Sequence, residues 1–184
     1  MRVIGGSLRG RKLASVHGMA IRPTADRVRE ALFNILGSLP QDARVLDLFA
    51  GTGALGIEAL SRGARQAWFL DNAQTALQLL RKNVELCRLA SQSHVMQWNI
   101  VKNLNVLHAG PPEFDLVFMD PPYDRAMVAP GLANLVDSRI LAPDCVIIVE
   151  HAPSEPIDPP PAPLVLTDHR RYGQTELSFF SFRG

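Results

Sequence analysis

The chain is poor in the residues that announce several function classes. Its only cysteines, Cys87 and Cys145, lie far apart and form no C-x-x-C pair. That favours two free thiols in a reducing compartment over a disulfide. The five histidines, at positions 17, 94, 108, 151 and 169, show no metal-ligand spacing, so no metal is assigned. No Ser-His-Asp or Cys-His arrangement sits in a local motif. No apolar run approaches the roughly 20 residues a membrane helix needs. The start, Met1-Arg-Val-Ile-Gly-Gly6, lacks the apolar stretch and cleavage site of a secretory signal, and the cytoplasm is the expected location.

What is present describes an ordinary soluble domain. Hydrophobic residues make up 47% of the 184 and charged residues 20%, enough for one sizeable core. The net charge of +1 is uninformative until it is divided. Residues 1–29 carry seven basic residues against Asp26 alone, a balance of +6, and the remainder balances at −5. A basic arm on an acidic body suits phosphate binding, with a merely solvated tail as the alternative.

The most informative stretch is Phe114-Asp-Leu-Val-Phe-Met-Asp-Pro-Pro-Tyr123. Phe114–Phe118 reads as a buried parallel strand, and Asp120-Pro121-Pro122-Tyr123 as the loop at its carboxyl end, where open α/β sheets place ligands. An acceptor (Asp120), a rigid carbonyl turn without competing N–H groups and a stacking ring (Tyr123) suit a flat, amine-bearing ring. Stacking on such a ring is worth roughly 1–3 kcal/mol. An exocyclic amine on a base is a poor nucleophile until acceptors hold its N–H groups and orient its lone pair. Taken alone, Asp-Pro-Pro is equally a plain strand end.

A second strand–turn–helix unit, Arg44-Val-Leu-Asp-Leu-Phe-Ala-Gly-Thr-Gly-Ala-Leu-Gly56, carries Gly51-x-Gly53 between a strand (Val45–Leu48) and a helix (Ala54–Ser61). Asp47 at the strand's end suits a ligand ammonium and would repel a pyrophosphate, which disfavours a dinucleotide oxidoreductase. Strand Gln66–Asp71 ends in an acid about twenty residues beyond the glycines, where a ribose diol is held, with Asn72 assisting. After strand His94–Gln97, Asn99-Ile100 is placed to meet an adenine edge and face, though Asn99 is equally a turn residue.

Further elements follow from period and punctuation. The N-terminal segment reads as two short strands (Arg2–Ile4, Lys12–Ala14) around Gly5-Gly6 and Gly10, followed by a helix to Gly37 capped by Thr24. Arg9 and Arg11 flank Gly10, where glycine permits close approach to phosphates, and Arg27 in the helix's first turn suits a partner or a surface ion pair. A helix from Ala73 to Leu89 turns Ala76, Leu79, Leu80, Val84 and Leu86 inward. Short helices near Val101–Leu107 and Met127–Ser138, and strands Cys145–Glu150, Leu164–Thr167 and Thr175–Phe182, complete the alternation, the last two as a hairpin turning at Tyr172-Gly173. Ala152–Pro163 holds six prolines and reads as an extended loop.

With Asp47, Gly51-x-Gly53, Asp71 and Asp120-Pro-Pro-Tyr123 in that order, the chain resembles class I S-adenosylmethionine-dependent methyltransferases. Gly5-Gly-Ser-Leu-Arg-Gly-Arg-Lys-Leu13 and Arg22-Pro-Thr-Ala-Asp-Arg-Val-Arg-Glu-Ala-Leu-Phe-Asn34 extend the likeness to the ribosomal small-subunit methyltransferase D (RsmD) family over nearly the whole chain.

The resemblance implies an α/β, Rossmann-like fold: a seven-stranded, mostly parallel sheet with an antiparallel last strand, plus a short N-terminal β-hairpin and helix. It implies methyl transfer from S-adenosylmethionine to N2 of a guanine in small-subunit ribosomal RNA, by a monomer acting on the small ribosomal subunit. Asp47, Phe49, Gly51 and Gly53 would line the donor's methionine part, Asp71 and Asn72 its ribose, Asn99 and Ile100 its adenine. Asp120, Pro121, Pro122 and Tyr123 would hold the target base, flipped from its stack. Residues 1–37 would form an RNA-facing segment using Arg9, Arg11, Lys12, Arg22 and Arg27, and residues 38–184 the methyltransferase domain. One departure is Asp71, where the family pattern has a glutamate; the shorter acid would still reach a diol. A same-fold enzyme acting on adenine N6 or a protein amide stays open, as does a non-catalytic RNA-binding module.

Overall fold

The computed structural model describes residues 1–15, 23–108, 113–157 and 159–184. Strands and helices alternate as α1 (Pro23–Leu36), β1 (Arg44–Leu48), α2 (Ala54–Ser61), β2 (Gln66–Asp71), α3 (Gln74–Leu86), β3 (Ser93–Gln97), β4 (Phe114–Met119), α4 (Val128–Asp137), β5 (Leu141–His151), β6 (Leu164–Tyr172) and β7 (Thr175–Phe182). Strands β1, β2 and β4 are buried almost throughout because helices cover both faces of the sheet. That is why their sequences run apolar instead of alternating.

The seven strands form one sheet in the order β3-β2-β1-β4-β5-β7-β6. The first five are parallel, β7 is antiparallel to β5, and β6 is antiparallel to β7. Only β7 therefore runs against the rest, the expected reversed last strand. The chain winds outward from β1 to β3 and then crosses back to β4. The carboxyl ends of β1 and β4 flank the point where the order reverses, which is where open α/β sheets place their ligand crevice.

Two apolar layers hold this platform rigid. Phe33, Ile57, Leu77 and Leu80 from the helices meet Phe69 and Phe118 on one face. Leu132 and Leu135 of α4 meet Leu46, Leu70, Val117 and Val149 on the other. Each such fully buried side chain contributes about 1.5–3 kcal/mol of transfer free energy.

Several elements differ from their sequence outlines. Helix α3 buries Leu77, Leu80, Asn83 and Val84, while Leu86, expected inside, is 44% exposed. The true stripe is rotated because Asn83 is carried inward by hydrogen bonds, so a polar residue occupies the face that apolar spacing assigned elsewhere. Around Val101–Leu107 there is only a short 3-10 turn, Asn105–Leu107. Strand β6 runs on to Tyr172, past Thr167, because Asp168–Tyr172 pair with β7 as a polar, exposed edge with no apolar signature. Thr24 lies one residue inside α1, and the residues before Pro23 are outside those described.

The two N-terminal strands reduce to a single bridge, Arg2 to Lys12, around a 3-10 turn at Gly6–Leu8. Polar side chains on the helices hold this arm. The buried Glu58 carboxylate of α2 accepts the Ile4 and Gly5 N–H groups, both at 2.7 Å, and the Arg62 Nε–H at 2.8 Å. Ser61 Oγ accepts the Leu8 N–H at 2.9 Å and donates to the Gly5 carbonyl at 2.6 Å. Asn83 Oδ1 accepts the Ala14 N–H at 2.7 Å. Gly6 has φ +73°, and a Cβ there would lie 1.9 Å from the Ser61 carbonyl oxygen, so the contact with α2 admits only glycine. Val3 and Leu13 join the same buried cluster as the sheet, so arm and body share one core.

Replacing Glu58 with Ala leaves the Ile4 and Gly5 N–H groups without their acceptor and removes a carboxylate partner from Arg29 and Arg62. Urea denaturation is expected to show a loss of about 3–5 kcal/mol, the scale for breaking a buried ionic network from one side.

Candidate active site at the carboxyl ends of β1, β2 and β4

Strand β1 delivers Asp47 to the crevice and then turns sharply. Asp47 is 2% exposed, and its Oδ2 accepts the Gly56 N–H at 2.9 Å, tying the strand to the first turn of α2. Burial pushes its pKa up to about 8, against the pull of the Gly56 N–H, and the charge of Asp71 adds to the rise. Gly53 enters α2 with φ +78°, and a Cβ there would lie 2.2 Å from Leu80 Cδ1. The turn therefore packs against α3 only as glycine. Phe49 takes a left-handed backbone, φ 59°, a conformation a bulky residue holds only when its surroundings impose it.

Asp71 ends β2 and joins two loops. Its Oδ2 accepts the Gly51 N–H at 2.9 Å and its Oδ1 the Ala73 N–H at 2.8 Å. Each oxygen keeps a lone pair for a further donor. Asn72 and Asn99 are exposed at the same edge, where Gln97 Nε2–H donates to the Asn72 carbonyl at 3.1 Å. Ile100, expected beside the adenine, is 2% exposed and packs in the layer beneath α4. Asn134 of α4 fixes that turn by donating to the Ile100 and Val101 carbonyls at 2.8 and 2.9 Å.

Asp120 follows β4 directly, its N–H donating to the Leu48 carbonyl at 3.4 Å, which sets it beside the end of β1. Its pKa is raised well above the usual carboxylate range, first by the dense protein around it, then by the charges of Glu150 and Asp47. Asp120 also has an exposed side, and water reaching it there moderates the rise. Pro121 is buried and Pro122 exposed. The Tyr123 hydroxyl donates to Glu150 Oε1 at 2.7 Å and lies 2.9 Å from Thr175 Oγ1, so β5 and β7 fix the ring from behind. Burial raises the Glu150 acid as well, with the Tyr123 hydrogen bond opposing the rise.

The basic residues sit apart from this crevice. Arg9, Arg11 and Lys12 are exposed and, with Leu86, line a groove of about 570 Å³. Arg27 is exposed on α1, and Arg22 lies outside the described residues. Glu150, Thr175 and Asn134 had no signal in the sequence, because their partners are 27, 52 and 34 residues away. Among the described residues His151, His169 and Glu176 also converge, their ligand atoms within 4.8 Å of one another. Histidine spacing misses the trio because it spans three strands. His151 Nδ1 lies 3.1 Å from the Ala152 carbonyl and Nε2 2.8 Å from Ser178 Oγ, so both ring nitrogens are engaged in hydrogen bonds.

The raised acid of Asp47 gives a signed pH dependence. The folded chain keeps that proton up to about pH 8, whereas a free carboxyl loses it near pH 4. Between those values the folded state holds the extra proton, so the contribution of Asp47 to stability falls as pH rises. Asp47→Asn removes this dependence while Asp120 and Glu150 stay in place. Urea midpoints are expected to drop less between about pH 5 and about pH 8 in the variant than in the wild type.

Comparison with known proteins places this architecture. The family model described as Conserved hypothetical protein 95 matches residues 1–181. Ribosomal RNA small subunit methyltransferase D of Haemophilus influenzae is 37% identical over 161 residues, covering 87% of this chain and 83% of that one. The solved structure of yhhF from Escherichia coli superposes with TM-score 0.86 at 36% identity, covering 100% of this chain and 98% of that one. SMU.776, solved in complex with SAH, gives TM-score 0.67 at 18% identity over 88% of this chain and 50% of its own, a likeness of fold alone. The chain has the Rossmann-like methyltransferase fold and belongs to the Conserved hypothetical protein 95 family, the one that includes ribosomal RNA small subunit methyltransferase D.

Proposed function

We propose that the protein transfers a methyl group from S-adenosylmethionine to the exocyclic N2 of a guanine in small-subunit ribosomal RNA. The observation that carries this reading is the base loop: Asp120 and the Pro121 carbonyl at the end of β4, beside a Tyr123 ring held by Glu150 and Thr175. The names of the RsmD relatives and the SAH in the SMU.776 complex support the substrate and the donor.

The donor set fits a cationic ligand, since Asp47, Asp71 and Asp120 face one crevice and no Lys or Arg among the described residues pairs with them. Asp47, Phe49, Gly51 and Gly53 would hold the methionine part, Asp71 and Asn72 the ribose, and Asn99 the adenine edge. When bound, S-adenosylmethionine supplies an electrophilic methyl carbon on a sulfonium. The chain's own residues do the rest by positioning. Asp120 and the Pro121 carbonyl accept the two amino N–H groups and turn the nitrogen lone pair toward the donor side, while Tyr123 stacks on the ring. With the donor's methyl carbon held in line, the nitrogen would take it as the carbon–sulfur bond breaks, and Asp120 or water would take the amine proton. No covalent enzyme intermediate is needed.

The division of labour is functional. Residues 1–37 face RNA, with Arg9, Arg11, Lys12 and Arg27 exposed for phosphates and Arg22 assigned to the same surface from the sequence. Residues 38–184 carry the reaction.

Asp120→Ala is expected to cut single-turnover transfer by about 10²–10³ at unchanged donor affinity, the scale for losing one acceptor at a reacting centre. The wild-type rate is expected to rise with pH, because Asp120, its acid raised, is the stronger acceptor once it has lost its proton. Nucleoside analysis of small-subunit RNA from cells lacking the protein, after incubation with the purified protein and labelled donor, should yield N2-methylguanosine. Methyladenosine would move the reading to an adenine amine, and no transfer with no donor binding to an RNA-binding module.

Replacing Arg9 and Arg11 with Ala should weaken RNA binding and reduce the salt slope by about 1 for each phosphate that is no longer neutralised. An unchanged slope would remove the arm from the interface.

A further inference from the structure

The base loop continues past Tyr123 into a turn that its own residues do not favour. Asp124 and Ala126 both take left-handed backbone, φ 57° and 51°, which L side chains avoid. Neither is a glycine, so something else must hold the turn. Glu155 supplies it: Oε2 accepts the Asp124 N–H at 2.9 Å and Oε1 the Ala126 N–H at 3.0 Å. Ser154 Oγ–H adds a bond to Asp124 Oδ1 at 2.8 Å. Two amides of one left-handed turn converging on a single carboxylate form a charge-assisted clasp.

The clasp belongs to the chain that leaves β5. The Glu155 N–H donates to the Ala152 carbonyl at 3.0 Å, closing a turn that presents the carboxylate. Pro153 and Pro156 flank it and restrict its backbone before the bond is made. Beyond, Pro156, Ile157 and Pro161 face Ala126, Val128 and Leu132 across a cavity of about 460 Å³. Just before that segment, Glu150 near the end of β5 holds the Tyr123 hydroxyl at 2.7 Å. One stretch of chain therefore grips the base loop twice, at the ring and at the turn beyond it.

We propose that Glu155 is a positioning residue for methyl transfer, and that the proline-rich segment serves as a strap that fixes the base loop. It acts through Asp120–Tyr123 without touching the reacting atoms. The hydrogen bonds of Glu155 reach neither β1 nor β2, which carry Asp47, Gly51 and Asp71, so donor binding is independent of it. The proposal rests on the reading that residues 120–123 hold the target amine.

The test compares single-turnover transfer to small-subunit RNA with calorimetric donor affinity. Glu155→Ala is expected to slow transfer by about 10- to 100-fold, the scale on which a reacting group misplaced by about an ångström loses rate. Donor affinity should stay within about twofold, since every donor-facing group keeps its place. Adding Ala126→Gly, which makes a left-handed residue free of strain, should recover part of the rate in the Glu155→Ala background. Glu155→Gln keeps one acceptor oxygen for two amides and should fall between; it carries the same comparison, with and without Ala126→Gly, if Glu155→Ala does not fold. Transfer at the wild-type rate in Glu155→Ala overturns the proposal. So does a slowing matched by weaker donor binding and untouched by Ala126→Gly. Wild-type transfer to a base other than guanine defeats the guanine reading and leaves the role of Glu155 standing.

Discussion

A cluster of acids without cationic partners at one edge of the sheet is the constraint on which this structure turns. Asp47, Asp71, Asp120 and Glu150 meet where β1, β2, β4 and β5 end; burial raises the acids of Asp47, Asp120 and Glu150, and neighbouring carboxylates add to the rise at Asp47 and Asp120. Elsewhere the chain answers its acids with cations: Glu58 with Arg62, Asp42 with Arg65, Asp168 with Arg170, Asp144 with Arg183. At the crevice, among the described residues, backbone N–H groups and one tyrosine hydroxyl are the only partners. Such a site is ready for a ligand that brings positive charge and N–H donors, which is what a sulfonium donor and an aryl amine bring on the proposed reading.

Holding those acids together requires a frame that does not relax. Apolar layers on both faces supply part of it, since sliding β1 against β4 would expose Leu46, Leu48 and Val117. The rest comes from local clasps. Asp47 ties β1 to α2, Asp71 ties the glycine turn to the start of α3, and Glu150 with Thr175 ties Tyr123 to the reversed strand. The reversed strand thus has a chemical use: its pairing with β5 brings Thr175 beside Glu150, where both reach the same hydroxyl.

Local sequence carries the elements whose physics is local. Strand β1, the glycine turn, α2 and β2 follow from apolar runs, glycine punctuation and an acid at the strand end, and their bounds match residue for residue at α2, β2 and β7. The misses have one cause, a tertiary partner that overrides local pattern. Asn83 turns inward because the arm and the Thr52 carbonyl need its amide, and so displaces the apparent stripe of α3. The polar half of β6 is a strand only because β7 lies beside it. Glu150 and Glu155 are ordinary surface acids by sequence, and their partners lie 27 to 31 residues back in the chain.

The charge layout also restricts how RNA could approach. An acidic crevice repels a phosphate backbone, and the body that carries it balances at −5. On the proposed reading the attraction comes from the arm, whose Arg9, Arg11 and Lys12 lie on a segment that Glu58, Ser61 and Asn83 lock to the same core. The phosphates can then stay with the arginines while a single uncharged base crosses into the crevice, at the cost in unstacking energy that base flipping requires. On that reading the order of charges from arm to crevice would select for an extruded base over a bound backbone, and the arm's attachment to the core would fix how far that base has to travel.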